Sequence, residues 1–461
     1  MPIIIKEKLT YGNEKFNIRN DFNILTNFVD DFLNGKYLNR FLVLPGLRSV
    51  GKTTILYQLY DYLITTKNIS QEDILFISYD KIRNITNCNI LEVIEYYLEE
   101  FHYCSLNTVN KKLFLLIDES HYDKKWSEAG KIIYDQSNNI FTIFTGSSAL
   151  KLEYGSEAKR RMLRRTITPL SYSQHLKLKF NYNTGNMSNA LFNLLFSGEI
   201  DESYELERKI NSDILNLDNC SFNDWENYFK FGGFPSSLNE ENERIILEKL
   251  YDSVNTIIEK DLPSIKNINT TTFNQARRLL HFLAQKVPGE VSQNSLAELL
   301  RTSQSSVNSI LRLLELNQLI FHFEPYVGSK GRLKKSWNYY FANPSIRHAI
   351  NYSVGFSSMK RDEYNGILLE NLVASSLFNA QNNENYFNFD VFFQSGKNSV
   401  DFLITKAFEN PIPLEIGSKK HIKRAMNKFT SPHGIIISNT TTKIKKEDDV
   451  VYIPFKTFSL M

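Results

Sequence analysis

The sequence predicts an α/β fold with a parallel sheet, followed by a helical region and a second α/β domain near its end. Three observations support this prediction. A short apolar run, Arg40–Leu44, precedes a glycine-containing loop and a helical pattern. Further apolar runs, typical of strands buried on both faces, end in acidic or hydroxyl residues. Strand-like runs return beyond residue 385, after a series of helical patterns.

The composition is that of an ordinary globular protein. At 461 residues the chain is long enough for two to four domains, and its 42% hydrophobic and 23% charged residues are typical. A net charge of +3 means that any nucleic-acid site must be a local basic patch. Three scattered cysteines and no run long enough to span a membrane lead us to expect a cytoplasmic protein without a membrane partner.

The loop GLRSVGKTT has the pattern G-x-x-x-x-G-K-[ST], which binds phosphate when it connects a strand to a helix. The flanking apolar run and the helical spacing from Ile55 to Leu63 supply that context, so a chance match is disfavoured. We expect Lys52 to reach the β- and γ-phosphates and Thr53 to bind Mg²⁺. The candidate nucleotide-binding residues are Gly46, Arg48, Ser49, Val50, Gly51, Lys52, Thr53 and Thr54.

Two later strands are expected to complete this site. The run Leu113–Ile117 ends in Asp118, a candidate Mg²⁺ ligand, and Glu119, a candidate for polarising the attacking water. An ordinary strand followed by an acidic turn is the alternative. The next strand ends in Thr145, Ser147 and Ser148, whose hydroxyls either sense the γ-phosphate or cap a turn.

An arginine cluster follows these strands, formed by Arg160, Arg161, Arg164 and Arg165. One of these arginines is a candidate arginine finger, acting within the chain or from a neighbouring subunit. A basic turn that is solvated or paired with acids is the alternative. An oligomer is therefore an open possibility rather than a requirement.

The order of these segments resembles that of prokaryotic AAA-type ATPases with a P-loop core, a winged helix and a nuclease-like C-terminal region. The resemblance rests on GLRSVGKTT, LFLLIDESHYDKKW, IFTGSSA and RRMLRRTITPLSYSQHL. It implies ATP hydrolysis with ATP and Mg²⁺ as cofactors. It further implies a core of Lys52, Thr53, Asp118 and Glu119, with Thr145 as a sensor and Arg161 as the family's arginine.

Three helical patterns and two strand-like runs follow one another between residues 273 and 342. This order predicts a winged helix-turn-helix. The basic turn between the two strands carries the candidate nucleic-acid contacts Lys330, Arg332, Lys334 and Lys335. Winged helices also pack between domains, so DNA contact and domain packing both remain open.

The C-terminal region contains the acids of a restriction-endonuclease-like metal site. Glu370 lies on a predicted helix, and Asp401 and Glu415 lie on predicted strands. Related regions have a lysine two residues after the last acid, whereas position 417 is glycine here. We therefore expect this fold to be retained with impaired or absent cleavage, as a binding platform.

Four domains are predicted: an AAA-type ATPase core (1–175), a helical lid or linker (176–270), a winged helix (271–345) and a nuclease-like domain (346–461). The predicted function is Mg²⁺-dependent ATP hydrolysis coupled to nucleic-acid binding. The alternative is a nucleotide-dependent regulatory switch that binds a protein partner and carries a catalytically impaired nuclease-like domain.

Overall fold

The computed structural model describes residues 2–11, 14–147, 160–221, 223–265, 270–327, 336–355, 359–383, 386–396, 398–417 and 421–461. The chain divides into two compact units. Unit 1 consists of Met1–Thr168, Thr256–Ile268 and Leu316–Gln318. Unit 2 consists of Pro169–Asn255, Asn269–Glu315 and Leu319–Met461.

The first part of the chain alternates helices and strands. These are α1 (Pro2–Lys8), β1 (Thr10–Tyr11), β2 (Glu14–Lys15), α2 (Asn20–Leu33), β3 (Phe41–Pro45), α3 (Lys52–Thr65), β4 (Ile74–Ser78), α4 (Tyr79–Ile82), α5 (Ile90–His102), β5 (Leu113–Asp118), α6 (Trp126–Gln136), β6 (Ile140–Gly146) and β7 (Leu163–Arg164).

Within the described part of unit 1, five strands form a sheet in the order β4-β5-β6-β3-β7, and every neighbouring pair is parallel. All residues of β3, β5 and β6 are buried, which confirms the parallel sheet predicted from their apolar runs. Trp126 and Ile133 of α6 join the core with β5 and β6. Because β6 lies between β3 and β5, the carboxyl ends of these three strands are neighbours.

The middle of the chain is helical. It contains α7 (Tyr172–Phe180), α8 (Met187–Ser197), α9 (Asp201–Leu215), α10 (Asp224–Phe231), α11 (Glu243–Thr256), a π-helical turn (Ile257–Asp261), α12 (Leu262–Ile265), α13 (Thr270–Gln285), α14 (Gln293–Leu300) and α15 (Gln304–Leu316). The π-helical turn and α12 belong to unit 1.

The remainder of the chain contains all eight described strands of unit 2. Its elements are β8 (Ile320–Pro325), β9 (Asn338–Phe341), α16 (Pro344–Val354), α17 (Arg361–Gln381), β10 (Phe389–Phe393), β11 (Phe402–Lys406), β12 (Ile412–Ile416), α18 (Ile422–Phe429), β13 (Gly434–Ser438), β14 (Lys445–Glu447), β15 (Val450–Pro454) and α19 (Phe455–Phe458).

In the portion of unit 2 that the structure describes, eight strands form one mixed sheet in the order β14-β15-β13-β12-β11-β10-β8-β9. The hairpin β8–β9 is antiparallel, and β8 also pairs in parallel with β10. The three helices and hairpin expected of a winged helix are thus present in the predicted order, and the hairpin continues the C-terminal sheet. The identification as a winged helix stays a prediction.

The predicted domain bounds do not coincide with the two units. Leu191 of α8 and Ile210 of α9 are buried in one core with Leu372 of α17 and Ile435 of β13. Most of the predicted lid region therefore packs with the C-terminal sheet, because its helices share that apolar core. Among the described helices, none combines the length and apolar character needed to cross a membrane.

Candidate active site

The loop between β3 and α3 requires glycine at two positions for different reasons. Gly51 has φ +97°, in the left-handed region that favours glycine, and it directly precedes the first residue of α3. Gly46 forms a bridge to Ile167, and a Cβ at Gly46 would lie 2.4 Å from the Ile167 carbonyl oxygen. One glycine thus provides the turn into the helix, and the other allows a close backbone approach.

Arg19 fixes this loop from a distant part of the chain. Its guanidinium donates to the carbonyl oxygens of Val50 at 2.8 Å and Thr168 at 3.1 Å, and it also pairs with Asp21. The arginine is buried. No local pattern around Arg19 could have indicated this role, because all but one of these partners are remote in sequence.

Lys52, the first residue of α3, points back into the loop. Its Nζ donates to the carbonyl oxygens of Gly46 at 3.0 Å and Leu47 at 2.9 Å. Only 5% of the residue is exposed, and this burial lowers the pKa of Lys52, against the opposing effect of the Glu119, Asp118 and Asp261 carboxylates. Lys52 therefore lies under the loop and among acids.

Asp118, at the carboxyl end of β5, is the point where three parts of the site meet. Thr53 from α3 donates its hydroxyl hydrogen to Oδ2 of Asp118 at 2.7 Å. Thr145 from β6 donates to Oδ1 of the same carboxylate. Asp118 is 3% exposed. The structure thus brings together Thr53, Asp118 and Thr145, three residues that the sequence assigned to one site.

Glu119, the residue directly after β5, does not continue the extended backbone of the strand. Its φ of +54° and ψ of +36° lie in the left-handed region, an uncommon conformation for a residue other than glycine. Burial raises the pKa of Glu119 to about 7, and the positive charge of Lys52 acts in the opposite direction. Its Oε2 lies 3.3 Å from Nδ1 of His121.

His121 is a neutral neighbour of this acid. The backbone N–H of Ser147 donates to Nδ1 of His121 at 3.2 Å, and burial lowers the pKa of His121 to about 3. A neutral imidazole can accept at Nδ1, whereas an imidazolium cannot. The contact with Glu119 is therefore a contact of a carboxyl group with a neutral ring.

Asp261, which the sequence analysis missed, enters the same site on the π-helical turn. Its Oδ1 lies 3.3 Å from Nη1 of Arg48 and accepts a hydrogen bond of 3.3 Å from the Tyr122 hydroxyl. Asp261 is completely buried. Burial opposes the charge on Arg48, but the carboxylates of Asp261 and Glu119 outweigh it and raise the pKa of Arg48. No motif surrounds Asp261, so only the folded structure associates it with the loop.

Within the arginine cluster, Arg164 lies on β7, where it pairs with Val43 of β3. Arg161 pairs with Asp135 near the end of α6, and Arg164 donates to the Thr166 hydroxyl at 3.2 Å. The role of Arg161 as an arginine finger therefore stays a prediction. Ser148 lies outside the described residues, as do residues 149–159.

The three C-terminal acids each accept a hydrogen bond from a different donor. Glu370 accepts from the Tyr340 hydroxyl at 3.0 Å, Asp401 from the Ile416 N–H at 2.6 Å, and Glu415 from the His421 N–H at 3.0 Å. Burial raises the pKa of Glu370 to about 7 and that of Asp401 to about 6, and the charges of Asp401 and Glu415, respectively, add to these shifts.

These acids lie close enough to one another to interact electrostatically. Among the residues that the structure describes, no group of three or more histidine, cysteine, aspartate or glutamate side chains is arranged to hold a metal ion. The assignment of Glu370, Asp401 and Glu415 as a second metal site stays a prediction.

Position 417, where related regions have a lysine, has a backbone conformation that favours glycine. Gly417 has φ +81°, and its N–H donates to the Ile437 carbonyl at 2.8 Å, immediately after β12 ends at Ile416. The backbone has turned out of the extended conformation that would project a strand side chain beside the acids. Lys419 and Lys420 lie outside the described residues, as do the candidate nucleic-acid contacts Lys330, Arg332, Lys334 and Lys335.

Comparison with known families identifies the region that holds this loop. Residues 38–176 match a family model described as an AAA domain, and residues 222–359 match a domain of unknown function. Unit 1 contains an AAA-type P-loop ATPase domain. The match spans the loop, β5 and β6, and it supports nucleotide binding there.

Relatives and similar structures extend beyond that domain. An uncharacterized protein of Methanocaldococcus jannaschii is 29% identical across 100% of this chain and 92% of its own. One from Haemophilus influenzae is 24% identical across 70% of this chain and 72% of its own. The Aeropyrum pernix ORC2 protein has a TM-score of 0.38 at 8% identity, covering 78% of this chain and 97% of its own. DnaA from Aquifex aeolicus has a TM-score of 0.28 at 16% identity, covering 67% and 94%.

Proposed function

We propose that the protein is a Mg²⁺-dependent ATP hydrolase whose site lies in unit 1. The observation that carries this proposal is the convergence on Asp118, which accepts hydrogen bonds from Thr53 of the loop and Thr145 of β6. A phosphate loop, an acidic strand end and a hydroxyl from the neighbouring strand are the parts that phosphoryl transfer from ATP requires.

The donor set at this point fits Mg²⁺. This ion prefers oxygen ligands and is usually bound by one or two protein groups together with substrate phosphates and water. The Thr53 hydroxyl and the Asp118 carboxylate are adjacent oxygen ligands of this kind. A Mg²⁺ ion held by Thr53 and Asp118 would neutralise the negative charge that develops during phosphoryl transfer.

The other residues divide the remaining tasks. Lys52 and the N–H groups of residues 48–54 bind the phosphates, and the start of α3 adds positive potential. Glu119 orients the attacking water and accepts its proton. Thr145 holds the Asp118 carboxylate in place. Arg161, which is paired with Asp135, contributes its charge to the site of a neighbouring subunit if the chain assembles.

The direct test is ATP turnover by the wild type and Glu119→Gln at saturating ATP and Mg²⁺. Glutamine keeps the shape of the side chain but cannot accept the proton, so we expect turnover to fall on the order of 100-fold to 10,000-fold. Nucleotide binding should persist in the variant. Turnover within a few-fold of wild type would contradict the role of Glu119, and a wild-type chain that binds no nucleotide would contradict the whole proposal.

We propose further that DNA stimulates this turnover through the three helices and hairpin of residues 270–341. Their order supports a winged helix, and the Ser303 hydroxyl is hydrogen-bonded to those of Ser305 and Ser306 at the exposed start of α15. The proposed phosphate contacts are Lys330, Arg332, Lys334 and Lys335, which stand between β8 and β9 in the sequence.

Adding single- or double-stranded DNA to the turnover assay tests this coupling. Acceleration that weakens with salt and disappears when all four basic residues are alanine would support it. Turnover that is indifferent to both kinds of DNA would contradict it and favour a protein partner.

A nucleotide-dependent switch that binds a protein partner is the second candidate. The backbone turn at Gly417 and the separate hydrogen-bond donors of the three C-terminal acids favour a domain that binds rather than cuts. Nucleotide that copurifies with the protein, combined with negligible turnover, would support this candidate over the first.

A further inference from the structure

Asp261 is a buried acid for which the assignments above give no task. It lies at the end of a π-helical turn. Such turns are rare in proteins overall, and those that occur are often at functional sites. Its side chain is 1% exposed, whereas that of Arg48 is 32% exposed. The acid is therefore fixed inside the protein, while its cationic partner also reaches solvent.

The contact between Asp261 and Arg48 is loose. The distance of 3.3 Å between Nη1 of Arg48 and Oδ1 of Asp261 exceeds the usual 2.7–2.9 Å of a charge-assisted hydrogen bond. The pairing is therefore weaker than an ideal ion pair, and a stronger anionic partner can displace it.

Arg48 also stands in the loop that binds phosphate under the proposed function. Phosphate, like carboxylate, is a preferred partner of arginine and is frequently bound by two parallel hydrogen bonds. Lys52 lies within the field of Asp261 as well. A triphosphate at the loop and the Asp261 carboxylate would therefore interact with the same two cations, Arg48 and Lys52.

We propose that Asp261 competes with the γ-phosphate of ATP for Arg48, so that triphosphate binding loosens the segment formed by residues 257–265. This inference rests on the proposed function. When phosphate takes the guanidinium, Asp261 keeps the Tyr122 hydroxyl but loses its contact with Arg48. Weakening the pairing of a buried charge is costly, so the 257–265 segment shifts. Because linkage is reciprocal, Asp261 weakens triphosphate binding to the same degree.

The test measures dissociation constants of the full chain for a non-hydrolysable ATP analogue and for ADP, both with Mg²⁺. We expect Asp261→Asn to bind the triphosphate analogue on the order of tenfold more tightly, a coupling of ordinary size, and to affect ADP less. Asparagine retains the shape and can still accept from Tyr122. Glu259→Gln removes the same charge from an exposed position on the same turn and should bind like the wild type.

Two further experiments distinguish competition for Arg48 from other effects of Asp261 on nucleotide binding. In an Arg48→Gln background the gain from Asp261→Asn should disappear, because the contested guanidinium is gone. A gain that persists there in full, or weaker binding by Asp261→Asn, would overturn the proposal. In the wild type, amide hydrogen exchange across residues 257–263 should be faster with the triphosphate analogue than with ADP; equal or slower exchange would also overturn it.

The outcomes separate this inference from the proposed function. A wild-type chain that binds no nucleotide would remove both together. A wild-type chain that binds nucleotide, combined with an Asp261→Asn variant that shows no gain, would remove only the competition.

Discussion

The nucleotide site of unit 1 and the acid cluster of unit 2 contain similar residue types in different arrangements. In unit 1, the hydroxyls of Thr53 and Thr145 converge on the single carboxylate of Asp118. In unit 2, Glu370, Asp401 and Glu415 each accept from a donor of their own. Two hydroxyl donors thus share one carboxylate in the first region, whereas each acid has a donor of its own in the second.

The surrounding charges, by contrast, are similar. Burial raises the pKa of Glu119 to about 7, with Asp118 acting in the same direction and Lys52 and Arg48 opposing it. Burial likewise raises the pKa of Glu370 to about 7, with Asp401 acting in the same direction and Arg347 and Lys286 opposing it. The two regions therefore differ in how their acids are hydrogen-bonded rather than in the charges around them, and the role of the C-terminal acids as a metal site stays a prediction.

The largest expected effect comes from Asp118→Asn. Loss of this carboxylate charge removes the proposed Mg²⁺ ligand, which should lower ATP turnover on the order of 100-fold or more. Asp401→Asn is the matched control in unit 2 and should leave turnover within about twofold, an effect below 1 kcal/mol. Both variants should be measured in the same steady-state assay. An equal loss of ATP turnover in the two would contradict the assignment of the nucleotide site to unit 1 alone.

A stability effect is expected from Glu370→Gln. The pKa of Glu370 is about 7 in the fold against an ordinary 4.5, so the protonated form is favoured by folding. The contribution of this shift to the free energy of unfolding is fully present below pH 4.5 and is lost as the pH rises from 4.5 through 7. Above pH 7 the free energy of unfolding is lower by up to about 3 kcal/mol. Glutamine cannot ionise, so the variant should be more stable than the wild type at pH 8.

Denaturant unfolding of Glu370→Gln at pH 8 and pH 4.5 measures this difference. The gain should be present at pH 8 and absent at pH 4.5. Added Mg²⁺ should leave the wild-type chain no more stable in the absence of nucleotide. A Mg²⁺-dependent stabilisation that Glu370→Gln abolishes would show instead that the C-terminal acids bind metal.

The smallest effect is expected from Gly417→Lys, which restores the residue type of the nuclease motif. A side chain at φ +81° costs roughly 1–2 kcal/mol. Among the described residues, no atom lies within 4 Å of a Cβ built at Gly417, so strain is the main cost. We expect Gly417→Ala to be destabilised equally, and neither variant to cleave DNA with Mg²⁺. Cleavage by Gly417→Lys would contradict this expectation and show that the C-terminal acids form a working metal site.

Local patterns predicted much of unit 1 because its strands and loop are defined by short stretches of sequence. The apolar runs of β3, β5 and β6 and the glycine pattern before α3 are signals of this kind. Arg19 and Asp261 carry no such signal, because their contacts with the loop depend on how distant segments fold together.

The division into units was not predictable in the same way. The pairing of β8 with β10, and the burial of α8 and α9 with α17, join segments that are far apart in sequence. In unit 2 the order of the acids was visible in the sequence. Their hydrogen-bond donors, such as Tyr340, and the backbone turn at Gly417 are revealed only by the fold.

The most direct measurement is a calorimetric titration of the full chain with a non-hydrolysable ATP analogue and Mg²⁺. Three proteins should be compared: the wild type, Lys52→Ala, and the double variant Glu370→Gln/Asp401→Asn. We predict one equivalent of nucleotide bound by the wild type and by the double variant, and no measurable binding by Lys52→Ala. Binding that survives Lys52→Ala, or that is lost in the double variant, would contradict the assignment of the nucleotide site to unit 1.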